Sequence, residues 1–254
     1  MLKMERIPEP EIMGAEEEAT VYDLADFSEV NQAFANRVLE LVPQPSGALL
    51  DCGCGPGDIL MRIHTRAPKF LFIGVDGSQA MIALAVKRTR EQGLQNTIHF
   101  VQGDAKKINF PPNSVDIVIS NSLVHHLLDP RPFWEEIRRV CKPGGIVLIR
   151  DLSRPPTVQA SWEIVEKYSG TEPQLLKDLF FHSLKASFTV AEIREHLTQA
   201  GLHGLEVKMC SDRHWEVSGK IEKRSVRGYK ANQGKRFLRG IFNLVFFVWR
   251  NENH

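Results

Sequence analysis

Long apolar runs are missing from this chain of 254 residues: none reaches the about 18 consecutive apolar positions that cross a bilayer. The opening MLKMERIPEPEIMGAEEE is acidic and has no apolar centre, so it does not read as a signal peptide. Cysteine is scarce. Of the four, Cys52 and Cys54 are too close to bridge easily, Cys141 and Cys210 stand alone, and none forms a C-x-x-C pair. The expectation is a reduced, cytoplasmic protein. There is no internal repeat and almost no net charge, at +1.

Charge is scarce only in sum. Residues 219–254 carry nine Lys/Arg against Glu222 and Glu252, or +7, which leaves the remaining body at −6. An acidic body is a poor surface for RNA phosphates. The basic run ends in the apolar GIFNLVFFVW, too short to span a membrane. Its expected partner is the chain's own domain, a second subunit or a membrane surface.

At 43% hydrophobic residues the chain can bury a large core. Residues 29–41 space Val30, Phe34, Val38 and Leu41 as one helical face. From Ala48 onward, short apolar runs alternate with helical stretches. Strands are expected at 48–52, 70–76, 97–104, 114–121 and 146–151, with helices at 58–66, 78–93 and 131–141. This is the pattern of a parallel sheet covered on both faces. Residues 157–168 and 172–184 read as helices, and Thr189 with Glu192 forms a capping box before the helix that ends at Gly201. Two runs, 205–210 and 214–219, predict a closing antiparallel hairpin.

The first of these strands ends in LLDCGCGPGD, residues 49–58. Gly53, Gly55 and Gly57 allow a sharp turn and a close backbone approach to a ligand. A phosphate-binding loop needs G-K-[ST], and here Asp58 stands instead of a helpful lysine. The dinucleotide fingerprint needs glycine at that same position. Asp51 and Asp58 around the loop favour a cationic amino or sulfonium group over a pyrophosphate. Asp76 and Asp104 end the next two strands, placed for ribose hydroxyls and an adenine amino group. Together these acids describe a nucleoside with a charged amino-acid tail.

Five stretches, LLDCGCGPGD, VDGS with Met81, QGDA, VDIVISNSLVHHLLDP and RRVCKPGG, resemble class I S-adenosylmethionine-dependent methyltransferases, of the ubiquinone/menaquinone C-methyltransferase type. The resemblance covers roughly residues 47–150. It implies a Rossmann-like α/β fold: seven strands, mostly parallel, helices on both faces and an antiparallel terminal hairpin. It also implies S-adenosyl-L-methionine as cofactor and a small-molecule acceptor, aromatic or quinone-like. Carried over, Asp51, Gly53, Gly55 and Gly57 would hold the methionine moiety, Asp76 with Gly77 and Ser78 the ribose, and Gly103, Asp104 and Ala105 the adenine, with Met81 near the base. Asn121 could contact the methionine tail or the acceptor.

His125 and His126 are the candidate catalytic residues, because they follow the fourth strand and titrate near neutrality. The alternative is that one caps the next helix and the other packs beneath the cofactor. Adjacent histidines seldom point the same way and no further ligand stands at metal-binding spacing, so no metal is expected. Asp151, at the end of strand five, is a weaker candidate for orienting the acceptor.

The expected organisation is an N-terminal lid and helix at 1–46, with Tyr22 and Phe27 as covering groups, a cofactor-binding domain at 47–219 and the tail at 220–254. Within the domain, a helical insert at 155–188 holds Trp162, Tyr168, Phe180, Phe181 and Phe188 as the expected acceptor wall. Competing readings are a non-catalytic binding module, an RNA methyltransferase and an NAD-dependent oxidoreductase.

Overall fold

The computed structural model describes residues 3–9, 27–42 and 46–222. The lid reading at Tyr22 and the tail readings beyond residue 222 lie outside the described residues.

A seven-stranded sheet runs in the order β3-β2-β1-β4-β5-β7-β6. Its strands are β1 (Gly47–Cys52), β2 (Phe70–Asp76), β3 (Ile98–Gln102), β4 (Val115–Asn121), β5 (Cys141–Leu152), β6 (Leu205–Met209) and β7 (His214–Lys220). The first five are parallel; β7 pairs antiparallel with both β5 and β6. The helices are α1 (Ser28–Leu41), α2 (Asp58–Arg66), α3 (Gln79–Glu91), α4 (Arg131–Val140), α5 (Val158–Ser169), α6 (Gln174–Ala186) and α7 (Val190–Gln199).

The strands read as unbroken apolar runs because both faces are covered. Along β1, Ala48, Leu50 and Cys52 enter the core beneath α4 and α7, whereas Leu49 enters the opposite core with Phe34 and Val38 of α1 and Leu60 and Ile63 of α2. The caps follow the sequence as well. Ser78 accepts from Met81 N, and Thr189 and Glu192 complete their capping box.

Strand five corrects the expected boundary. Lys142-Pro143-Gly144-Gly145 ends the helix, but the chain is already extended from Cys141, which pairs with Val115, and the ladder resumes at Ile117↔Ile146 after an irregularity. At the other end, Ile221 N donates to Gly145 O and Gly144 N to Ile221 O, so the domain extends beyond residue 219.

Glu216 on β7 is buried, and its carboxylate accepts from Arg37 Nε at 3.1 Å and an Arg150 terminal nitrogen at 2.6 Å. These bonds tie α1 to two strands, and they outweigh burial to hold the Glu216 carboxyl below its usual range. Glu216→Ala is expected to cost about 3 kcal/mol, because it strands two arginines. A depressed carboxylate stabilises above its unfolded pKa and loses that effect as pH falls through its folded value. Urea unfolding should therefore show a gap between parent and variant at neutral pH that narrows below about pH 4.

Candidate functional site

The carboxyl ends of β1, β2 and β3 meet around Asp76. Its Oδ2 accepts from Gly55 N at 2.8 Å, its Oδ1 from Ser78 N at 2.9 Å, and its main-chain carbonyl from Gly103 N at 2.9 Å. Gly53 N and Cys54 N both donate to Val75 O, at 2.8 and 3.1 Å. One residue, through its carboxylate and its main-chain carbonyl, thus joins three strand tips, and each carboxylate oxygen retains acceptor capacity for a hydroxyl. Burial raises the Asp76 carboxyl above its ordinary value, against the pull of the two amide donors.

The glycine loop needs its glycines. Gly53, Gly55 and Gly57 have φ of 70, 50 and 78°, all left-handed. A Cβ on Gly53 would lie 2.9 Å from Leu123 Cδ1, and one on Gly57 would lie 2.6 Å from Phe100 Cζ.

Asp51 is the anomaly of the site. The residue is 1% exposed, and neither carboxylate oxygen has a hydrogen-bond partner among the described residues. Burial, and next the charge of Asp76, hold its carboxyl well above the usual range. Buried polar atoms are seldom left unpaired, and such an exception needs an explanation. A cationic ligand at the loop supplies the missing partner, so Asp51 fits the nucleoside with a positive tail that the loop implies.

The other predicted contacts divide. Met81 and Ala105 are buried beside the strand tips, and Ser78 is buried as the cap of α3. Gly77 accepts from the Gln102 side chain through its carbonyl. Asp104 is exposed and turned onto Lys106, whose amide and Nζ it meets at 2.8 and 3.1 Å. Asn121, half-buried, ends β4. Asp58 carries two partners on one carboxylate oxygen, Oδ2, which accepts from Arg62 Nε at 2.7 Å and Asn31 Nδ2 at 2.9 Å. Cys52 and Cys54 are buried thiols pushed upward by burial, with no sign of a reactive thiolate.

Beyond Asn121 the chain forms a 3-10 turn, Val124–His126. His125 is buried, and its Nδ1 lies 2.6 Å from Asp151 Oδ1 while its amide donates to Oδ2 at 3.0 Å. Burial would lower the imidazole, but the Asp151 charge and hydrogen bond win and raise it; Asp151 is correspondingly lowered despite its own burial. His126 is held neutral, with its pKa pushed down to about 3 by burial and then by His125. Neither histidine caps α4, whose N-cap, Pro130, has no side-chain bond. Contrary to expectation, the rings face each other, with centroids 4.0 Å apart.

Residues 3–9 are the surprise. Part of the acidic opening, they form a strap. Arg6 donates to the carbonyls of Ala186, Leu128, His125 and Leu127, and its guanidinium lies 3.8 Å from the Phe188 ring centroid. Met4 is buried with its amide on Pro156 O, and Glu9 reaches Ser183 Oγ at 3.2 Å and His126 Nδ1 at 3.5 Å. No periodicity marks these residues in the sequence; an arginine and an acid three residues apart in a Pro-rich run give no sign of where they dock.

The helical insert forms the wall past β5. Trp162 and Phe181 stack at 4.6 Å, while Phe188 is buried. Tyr168 is exposed and bonds Asp212 in the β6–β7 turn at 2.7 Å, with Arg213 3.3 Å from its ring centroid. A cavity of about 400 Å³ lies between α5 and that turn, lined by Arg154, Pro156, Ile164, Lys167 and Met209. Phe27, expected to cover the cofactor, is exposed at the start of α1. No helix among the described residues is long and apolar enough to cross a membrane.

Comparison with known proteins bears on the family and the fold. Residues 50–149 match the model of the methyltransferase domain family. The chain is 37% identical over 161 residues to a demethylmenaquinone methyltransferase of Lactobacillus johnsonii, covering 60% of this chain and 66% of that protein. It is 26% identical over 191 residues to a ubiquinone/menaquinone biosynthesis C-methyltransferase of Vibrio campbellii, covering 74% and 73%. In the first three curated relatives it matches, the chain spans 66%, 59% and 39% of their length. A SAM-dependent methyltransferase from Aquifex aeolicus shares the fold, with a TM-score of 0.62 at 20% identity over 83% of this chain and all of that one. The glycine loop, the strand-tip acids and these likenesses place the chain in the class I S-adenosylmethionine-dependent methyltransferase family, with residues 50–149 as its methyltransferase domain.

Proposed function

We propose that the protein transfers a methyl group from S-adenosylmethionine to a small, flat acceptor. The observation that carries this reading is the buried, partnerless carboxylate of Asp51 beneath a glycine loop. When bound, S-adenosylmethionine supplies a methyl group already activated on a sulfonium sulfur. What remains for the chain is placement, charge balance and exclusion of water.

Asp51 answers the cationic amino-acid end. Asp76 accepts ribose hydroxyls on the lone pairs that Gly55 N and Ser78 N leave free. Met81 and Ala105 give the base an apolar bed, Asp104 stands at its rim, and Asn121 faces the reacting end. His125 and His126 form the polar border of the acceptor side, held by Asp151 and the strap. A flat acceptor suits the aromatic groups Trp162 and Phe181, and quinone precursors are named among the relatives' substrates. The basic tail is assigned to a subunit or membrane contact, and its residues beyond 222 lie outside those described.

Calorimetric titration tests the reading. S-adenosylhomocysteine should bind where NADH does not. Asp76→Ala should weaken S-adenosylhomocysteine by about 1.5–3 kcal/mol, the scale for charge-assisted hydrogen bonds. Unchanged affinity would remove Asp76 from the site. Turnover with an aromatic acceptor panel separates an enzyme from a binding module.

A further inference from the structure

We propose that Glu9, His125 and His126 bind a divalent first-row transition-metal cation beside the methyl-transfer site. A ring nitrogen of each histidine and a carboxylate oxygen of Glu9 lie within 4.8 Å of one another. Two imidazoles and one carboxylate form a donor set suited to Zn²⁺, Fe²⁺ or Co²⁺, and three protein ligands leave open positions of the kind found in catalytic rather than structural centres.

Two further observations point to a ligand. His126 Nδ1 is buried and has no hydrogen-bond partner among the described residues, although the Glu9 carboxylate lies 3.5 Å away. A buried, unpaired ring nitrogen is a lone pair waiting for a partner. His125, in turn, is supported as a metal-bound histidine is. The contact from Nδ1 to Asp151 at 2.6 Å orients the ring and assigns Nε2 to the ligand, the carboxylate–histidine–metal arrangement.

The remaining charges suit a cation. Asp151 is buried against His125, and the Arg6 guanidinium is engaged by four main-chain carbonyls rather than by the Glu9 carboxylate. Ligand atoms about 2.1 Å from a tetrahedral ion stand about 3.4 Å apart, so binding asks for an inward shift of little more than 1 Å. Glu9 can supply that shift, because it belongs to the strap rather than to the sheet. The sequence concealed the site, since its third ligand precedes the histidine pair by more than a hundred residues and comes from another layer.

The test uses the full chain, stripped with a chelator and titrated with Co²⁺ while visible absorption is read, with Zn²⁺ as competitor. One equivalent should bind with ligand-field bands, and Zn²⁺ should abolish them. Glu9→Gln and His126→Ala should each weaken Co²⁺ at least tenfold, while Cys210→Ser, at an exposed thiol, should leave binding unchanged. Circular dichroism and melting confirm that each variant is folded; Glu9→Gln keeps side-chain volume and serves if His126→Ala does not fold. Absence of bands, or equal affinity in parent and Glu9→Gln, overturns the proposal. The readout is metal uptake alone, so its failure is distinct from a failure to bind S-adenosylhomocysteine.

Discussion

Asp51→Asn is expected to make the ligand-free protein more stable and nearly blind to its cofactor. In the free chain the carboxylate is buried with no partner, and its pKa is raised by burial and by Asp76. A carboxyl whose folded pKa lies above its unfolded value, about 3.9, favours folding least when it must ionise. The penalty is absent below about pH 4, grows as pH rises towards the folded pKa and is complete above it. The Asn variant removes that penalty. Its melting temperature should exceed the parent's at neutral pH and converge with it in acid. The same change removes the counter-charge of a cationic ligand. Losing one partner of a buried charge pair costs about 3–5 kcal/mol, so S-adenosylhomocysteine should weaken by a factor of at least about 10². Thermal melts across pH, paired with calorimetry, read both halves. An Asn variant that melts below the parent at neutral pH would show that Asp51 has a partner in the free state.

Gly57→Ala carries the second large effect. At φ of 78° an alanine is strained, and its Cβ would stand 2.6 Å from Phe100 Cζ and 3.4 Å from Ala85 Cβ. The backbone strain costs about 1 kcal/mol. Moving an aromatic ring adds about 1–3 kcal/mol. We expect a loss of about 2–4 kcal/mol in urea unfolding and a cofactor affinity reduced in step, because Gly57 precedes the first turn of α2. Gly93→Ala is the control: φ is 72° there too, yet nothing lies within 4 Å, so only the backbone part should appear. Equal losses at the two positions would mean that the loop yields around the added methyl.

Much of this molecule is legible in its residues. Apolar runs such as FLFIGVD announce buried parallel strands, because both faces of the sheet are covered. Glycines with a terminal Asp mark the strand tips because bulk-free backbone has few other uses there. The misreadings share a cause. Asp58 is read from its place after the loop, and its partners Asn31 and Arg62, from α1 and α2, leave no mark in the local sequence. Lys142-Pro143-Gly144-Gly145 reads as a stop, and only the pairing of Cys141 with Val115 shows that it lies within a strand. Arg6 and Glu9 dock on groups more than a hundred residues distant, where no local period records the contact. Local pattern encodes layers well; side-chain partners drawn from distant segments it does not encode.

The insert after β5 has an evolutionary consequence. The tips of β1 to β3 are knitted together around one residue, Asp76, whereas α5 and α6 hang from β5 and are fastened by the strap and the β6–β7 turn. If the insert forms the acceptor wall, as the proposed function has it, a swap of residues 153–188 between relatives should change the acceptor while sparing the nucleoside half. The graft must carry residues 3–9 with it, since Arg6 grips Ala186 at the far end of the exchanged piece. Diversity of substrate across such a lineage would then be inherited as a two-part cassette, split between the amino terminus and the middle of the gene.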